Sequence, residues 1–439
     1  MNLRRMVDLR PDERAGVLWS FLYFFALLSS YYILRPLRDE MGITGGVEQL
    51  HWMFTGTFLA MLLAVPLFGA AARTLPRHVL LPAVYAFFIV NLLVFHALLQ
   101  SGIATVYVAR AFFIWVSVFN LFVVSVFWSF MADLFSNAQA RRLFGFIAAG
   151  GSLGALLGPG LTAALAGVLG PFNLLPISAL LLGVALLCIT RLLAWSGRHG
   201  GVESRPHADN TDRAIGGGML DGIRLVFRSR YLLAICLYIW LFTTLSTFLY
   251  FQQAHIVRGA FDDPAQRTAV FAGIDLAVNA LTILVQLFVT HRLIARLGLG
   301  KTLALLPALM ALGFACLGAA PVLAVLVPFQ VLRRAGNYAV AKPAREILFT
   351  VVSRAERYKA KNLIDTVVYR GGDALSGWLF AGLSGLGLGL AGIALLALPV
   401  AAMWMVTGLW LGRWQERLRA LAPTETGDYA QNNFTELNG

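Results

Sequence analysis

Residues 174–187 read Leu-Leu-Pro-Ile-Ser-Ala-Leu-Leu-Leu-Gly-Val-Ala-Leu-Leu. A helix of that composition is apolar on every side, whereas a helix of a water-soluble bundle keeps one polar face. The run extends over about 171–193, enough to cross a hydrocarbon core of ~30 Å. Similar runs of ~17–25 residues cover about 17–36, 52–72, 79–99, 104–131 and 144–168 before it. After it come about 231–252, 268–290, 302–319, 320–342, 365–390 and 392–412. Hydrophobic residues make up 59% of the 439 and charged ones 13%, with a mean hydropathy of +0.73. Water would not tolerate that surface, but a bilayer does, because each helix satisfies its own backbone. The expected fold class is all-α, a polytopic membrane protein of about 12 transmembrane helices.

The formal charge of +13 would suit nucleic acid, but its placement argues against that partner. Basic residues gather at alternate ends of the runs: Arg4, Arg5, Arg10 and Arg14, then Arg73 and Arg77, then Arg141 and Arg142. The series continues through Arg191 and Arg198; Arg224, Arg228 and Arg230; Arg292, Arg296 and Lys301; Arg354, Arg357, Lys359 and Lys361; and Arg413, Arg417 and Arg419. Opposite loops hold little beyond Arg258 and Arg267, apart from Arg38 at the first run's far end. This asymmetry places both termini in the cytoplasm of a multi-pass protein of the inner (cytoplasmic) membrane. The lipid bilayer is its partner, and no nucleic acid is expected. The first run ends in Arg35-Pro36-Leu37-Arg38 rather than a small-residue cleavage site, so no cleaved signal peptide is expected.

One polar stretch, about 197–218, divides the chain. The expected organisation is an N-terminal six-helix half (1–200), a cytoplasmic linker (201–218), a C-terminal six-helix half (219–420) and a polar cytoplasmic tail (421–439). Two parallel six-span halves around a midplane site is the layout of major facilitator transporters. Residues 219–230 alternate apolar and basic at helical spacing, as an interfacial helix on the inner leaflet does. Gly150, Gly154 and Gly158 recur every fourth residue and Pro159 follows. One helix face there lacks side chains, so a neighbour can pack closely. Gly154-Ala-Leu-Leu-Gly158-Pro159 resembles the fifth-span glycine-proline motif of major facilitator antiporters, which implies a hinge-like contact between the halves.

Ionisable groups at membrane depth are costly unless paired or hydrated, and so mark a functional path. Arg35 and Arg38 lie three apart at the outer end of the first run, with Asp39 and Glu40 beside them. Arg110 lies two turns into the fourth run, Arg333 and Arg334 mid-way along the tenth, and Arg345 near its inner end. Facing inward, they would form a cationic cavity for a multiply charged anion, because guanidinium forks two donors onto phosphate or carboxylate at any working pH. Asp275, Glu346, Asp365 and Asp373 are the acids that would pair with some of them. Lys361 with Asp365 and Arg370 with Asp373 have helical spacing for this. Asp275 is the candidate coupling acid, and Asn120, Gln252, Gln253 and Asn279 could add neutral hydrogen bonds.

Enzyme motifs fail on inspection, and no catalytic residue, cofactor or metal is expected. Leu299-Gly300-Lys301-Thr302 ends like a phosphate-binding loop, but Ala295 stands where its first glycine belongs. The seven histidines show no metal spacing. Cys188, Cys236 and Cys316 lie inside the apolar runs as small apolar residues.

Several segments resemble the ATP/ADP translocase (nucleotide transporter) family of bacteria and plastids. Tyr31-Tyr32-Ile33-Leu34-Arg35-Pro36-Leu37-Arg38-Asp39 resembles that family's first-span end, where Leu-Arg precedes Lys-Asp, and Arg38 stands at its substrate-relevant lysine. Phe127-Trp128-Ser129-Phe130 through Ala140-Arg141-Arg142 is similar to its Phe-Trp-x-Phe stretch and its Ala-Lys-Arg approach to the fifth span. Over 332–377, Arg334, Tyr338, Arg345, Lys359, Asp365 and Arg370 fall on similar residue types without a gap, and 223–231 looks like the helix before its seventh span. The likeness touches both halves and is dense over a third of the chain. Departures are specific: Val116 and Tyr250 replace two family glutamates, and Ala254 replaces a lysine. Arg38, Arg334 and Arg345 stand for lysines, so charge is kept while the acidic half of the site is lost.

The resemblance implies a secondary transporter, not an enzyme, that exchanges phosphorylated anions, nucleotides first, by alternating access. Proton-coupled movement of another small solute through Asp275 is the alternative. A transport-inactive sensor or assembly partner on the same scaffold is a third.

Overall fold

The computed structural model describes residues 10–198 and 219–421, which are helical nearly throughout. The first stretch holds α1 (Arg14–Thr44), α2 (Leu50–Thr74), α3 (Arg77–Ser101), α4 (Thr105–Leu134), α5 (Asn137–Leu169) and α6 (Leu174–Arg198). The second begins with α7 (Met219–Arg228), α8 (Arg230–Ala260), α9 (Pro264–Phe288) and α10 (Thr290–Ala319). It continues with α11 (Leu323–Gly336), α12 (Lys342–Leu348), α13 (Arg354–Leu363), α14 (Tyr369–Gly385) and α15 (Leu390–Leu421). The linker at 201–218 and the tail beyond Leu421 lie outside the described residues.

Among the described residues, ten helices are long and apolar enough to cross a membrane. The other two expected spans are each interrupted by a π-helical segment, Asn337–Ala341 between α11 and α12 and Ile364–Val368 between α13 and α14. The first interruption has a visible cause. Pro343 has no N–H to give the carbonyl four residues back, that of Ala339. The Thr290 hydroxyl takes that carbonyl at 2.8 Å, and the Gln286 amide donates to Tyr338 O at 3.3 Å. The second follows directly on α13 and leads without a break into α14. The expected basic loop before 302 is itself helical as far as Gly298, where φ of +73° breaks α10.

The described chain forms two compact units. One comprises 10–198 together with Val257–Ala280, and the other 219–256 together with 281–421. In the first, α1 is the central helix, packed by α5, α6 and α4. The glycine face of α5 makes the closest approach: a Cβ at Gly150, Gly154 or Gly158 would stand 2.5, 2.5 and 2.7 Å from the carbonyl oxygens of Phe21, Phe25 and Ser29. These three glycines therefore seat α5 on α1 within one unit. Pro159 is buried within α5 and does not end it. The motif aromatic Phe127 stacks on Phe24 at 4.1 Å, Tyr23 and Tyr85 share a hydrogen bond of 2.6 Å, and Ser30 meets Ser178 at 2.7 Å.

The N-terminal end of α1 is tied to α5 by Glu13. Its carboxylate accepts from Arg142 Nη2 at 2.8 and 3.2 Å, from Gln139 Nε2 at 2.9 Å and from the Arg10 amide at 3.3 Å. Burial pushes this carboxyl up, but the bonds from Gln139, the Arg10 amide and Arg142 outweigh it and hold the group below the usual range. A depressed carboxylate stabilises the fold above its unfolded value, near pH ~4.3, and loses that contribution as pH falls through its folded value. Thermal melts in detergent are therefore expected to show the wild type losing stability below pH ~4.3 more steeply than Glu13→Gln does. Parallel curves would contradict this.

In the second unit α10 lies along α15, with Gly300 against Gly412 so closely that a Cβ at Gly412 would overlap Gly300. Tyr231 and Tyr238 donate from their hydroxyls to Leu348 O and Leu303 O, both at 2.8 Å.

Candidate functional site

The charged residues expected at the site divide between the units. In the first, Arg35 and Arg38 occupy successive turns of α1 near its C-terminal end. Arg35 Nε lies 3.7 Å from Asp275 Oδ2 on α9, and its guanidinium is 5.9 Å from the Tyr32 ring centre. Arg38 lies 4.1 Å above the Phe113 ring, with Nη1 3.5 Å from Asp39 Oδ1. Asp275 is 1% exposed, so burial of this acid is matched by the guanidinium opposite it. Arg110 serves the backbone: its Nε donates to Gly45 O at 2.7 Å, bracing the turn after α1. Asn120 is half-buried on α4, and Val116, one turn before it, is buried. Asn279 donates to Ala155 O at 2.6 Å, between two of the packing glycines.

The pair that sequence reading missed is Glu40 with Arg267. Arg267 Nε and Nη2 donate to the two carboxylate oxygens of Glu40, each at 2.8 Å. Arg267 Nη1 also donates to Phe261 O and Asp262 O at 3.2 and 3.1 Å, and the Thr44 hydroxyl donates to Glu40 Oε1 at 2.9 Å. Glu40 is 0% exposed and Arg267 9%. A forked ion pair with further hydrogen bonds to backbone carbonyls is one of the few arrangements in which both charges can be buried. The only trace in the sequence is one acid and one base at the ends of two apolar runs 227 positions apart.

In the second unit, the arginines surround one stripe of α8. Arg333 Nη1 reaches Ser246 Oγ at 3.3 Å and its Nη2 donates to Gln330 Oε1 at 2.8 Å. Arg345 lies 5.3 Å from the centre of the Phe242 ring, one turn before Ser246. Thr247 donates to Asp373 Oδ1 at 3.3 Å, and Arg370 Nη1 donates to Asp373 Oδ2 at 3.5 Å while its guanidinium is 5.6 Å from the Tyr369 ring centre. The Tyr369 ring is 5.9 Å from that of Phe242. Arg334 is buried at the end of α11.

Helix approach makes this cluster possible. A Cβ at Gly372 would stand 2.5 Å from Thr243 Oγ1, so α14 comes hard against α8 there. Each π segment inserts a wider turn beside an arginine, Arg345 after the first and Arg370 after the second, and such segments occur preferentially at functional sites. Glu346 is exposed and accepts from Lys361 at 2.6 Å. The side chain of Asp365 lies outside the described residues. Gln252 uses its amide on Leu390 O at 3.2 Å.

Comparison with known proteins places this architecture. A nucleoside transporter, NupG, superposes with a TM-score of 0.62 at 15% identity, covering 94% of this chain and 100% of its own. PepTSo, a transporter of the POT family, gives 0.63 at 14%, covering 93% and 99%. An auto inhibited POT family peptide transporter gives 0.60 at 16%, covering 95% and 99%. At such identity these show a shared fold. No curated protein matches the sequence. The family profile described as Major Facilitator Superfamily matches residues 15–344. The chain is a polytopic secondary transporter belonging to the major facilitator superfamily.

Proposed function

We propose that this transporter exchanges phosphorylated organic anions, nucleotides of the ATP/ADP type first, across the cytoplasmic membrane, with both termini inside. The observation that carries the reading is the α8 stripe, where Arg333, Arg345 and Arg370 meet Phe242, Ser246 and Asp373. A di- or triphosphate offers these guanidinium groups several charged oxygens at once, which a neutral nucleoside does not. Phe242 and Tyr369 offer ring faces to a planar base beside the arginines. Arg38, Arg334 and Arg345 stand at lysine positions of the nucleotide transporters that the sequence resembles, and with Arg35 they are the residues we assign to drawing the anion in.

The moving bodies we propose are the six-helix halves, 1–200 and 219–420. The Glu40–Arg267 pair would close the outer end of α1 onto α9 in this state, and release of α9 would open it. An empty cationic site reorients unwillingly, because its arginines outnumber its acids and the excess positive charge stays in low dielectric. Bound anion removes that barrier, which favours exchange over one-way passage.

Competition against uptake of labelled ADP in proteoliposomes tests the substrate class. ATP, ADP and other phosphorylated anions are expected to compete, and nucleosides and dipeptides to fail at the same concentration. Competition by nucleosides equal to that by nucleotides would overturn the reading. A second reading, proton-coupled transport of another solute, has one observation in its favour, the buried Asp275 carboxylate facing Arg35 at 3.7 Å. It expects uptake to follow a pH gradient with no counter-substrate.

A further inference from the structure

We infer that α7, together with α13 beneath it, forms a docking site for anionic phospholipid headgroups of the inner leaflet. Neither the transport reading nor the fold requires such a site. A single residue, Ser229, separates α7 from the long span α8, and its hydroxyl accepts from the Leu232 amide at 3.3 Å to begin that span. A helix anchored so close to a span's cytoplasmic end, in the orientation proposed above, is held at headgroup depth.

Its side chains are sorted for that place. Val226 is 4% exposed, and α7 packs against α13. Arg224, Phe227 and Arg228, at spacings of three and one, are all exposed, Phe227 by 72%. A bare phenylalanine between two arginines is awkward in water. At a bilayer surface it is satisfied on both counts, the ring entering the acyl boundary and the guanidinium groups meeting phosphate.

Charge extends the surface in one sense. Arg230 is exposed at the start of α8, and the sequence of α13 carries Arg354, Arg357 and Lys359, besides Lys361, which is paired with Glu346. The acids nearby are largely committed elsewhere. Glu356 caps α13 by accepting from Ser353 Oγ at 2.7 Å, and Glu346 accepts from Lys361. Asp221 is the one acid in the sequence of α7. A zwitterionic headgroup offers this surface no net charge, whereas phosphatidylglycerol offers one phosphate with no compensating amine. The site is therefore expected to select anionic lipid, with each arginine contributing roughly fivefold to affinity.

The test titrates the full-length protein in dodecyl maltoside with fluorescent phosphatidylglycerol and, separately, with phosphatidylcholine carrying the same fluorophore. The wild type is expected to bind phosphatidylglycerol at least about tenfold more tightly. Arg224→Gln with Arg228→Gln should abolish that preference at an unchanged melting temperature, while Arg224→Lys with Arg228→Lys keeps it. Phe227→Ala should weaken both lipids alike. Equal binding of the two lipids by the wild type would overturn the inference, as would a preference that survives the double glutamine variant. Displacement of phosphatidylglycerol by millimolar glycerol phosphate would also overturn it, since that marks a site for free anions rather than for a membrane surface. The binding assay involves no transport, so loss of nucleotide exchange would leave its result standing.

Discussion

Replacing Glu40 by glutamine is expected to weaken the attachment of α9 to α1 by about 3–5 kcal/mol, the usual cost of leaving one member of a buried ion pair without its counter-charge. The guanidinium of Arg267 would remain at 9% exposure with two backbone carbonyls and only the charges of Asp262 and Asp263 beside it. Arg267→Gln should do the same from the other side. If the pair closes the outer end of α1, both variants must expose that end more often. A cysteine at Ile43, 6% exposed in the closed arrangement, reports this through labelling by a membrane-impermeant maleimide, with Cys188, Cys236 and Cys316 first replaced by serine. Labelling from outside should rise by at least about tenfold in either variant. The double variant Glu40→Met with Arg267→Leu removes both charges and should stay closed, because apolar packing can replace a buried pair without loss. Unchanged labelling in the single variants would show that the pair is a static brace.

Loss of Arg345 or Arg334 has the second largest expected effect. A hydrogen bond to a charged partner contributes about 1.5–3 kcal/mol, so Arg345→Gln or Arg334→Gln should weaken nucleotide uptake roughly 10- to 100-fold. Arg345→Lys should recover part of it, since charge returns without the planar fork. The concentration dependence of ADP uptake in proteoliposomes measures both, with Arg110→Gln as the contrast. Arg110 is bound to Gly45 O, so its removal should lower thermal stability without a selective loss of affinity. Normal uptake by both the Arg334 and the Arg345 variant would contradict the anion-site assignment.

What could be read from sequence follows from the range of each interaction. Apolar runs and basic loops are local or periodic, and the ten uninterrupted spans were legible from them. The two remaining spans contain charged residues and π segments, and composition alone says nothing of an inserted turn. Pro343 was the one local clue, since a missing N–H must free a carbonyl one turn back. The spacing of Gly150, Gly154 and Gly158 announced a close approach correctly. It could not say that the approaching backbone belongs to α1 of the same unit. Arg35 and Asp275 were each recognised as costly residues at membrane depth, but their meeting depends on how α9 packs. Glu40 lies beside Arg35 and Arg38 in the chain, while its ion-pair partner lies 227 positions away. Arg142 fell within a family-like motif, and the structure gives it a plain role as the partner of Glu13.

The most direct test of the central claim is counter-exchange. Purified protein is reconstituted into liposomes with or without internal ATP, and uptake of external labelled ADP is followed in both. The account predicts rapid uptake in the loaded vesicles and little in the empty ones, since the unoccupied cationic site must find an anion before it can return. Equal uptake with and without internal nucleotide would contradict exchange. Absence of uptake in both, in vesicles whose protein is folded and correctly oriented, would contradict the nucleotide assignment itself.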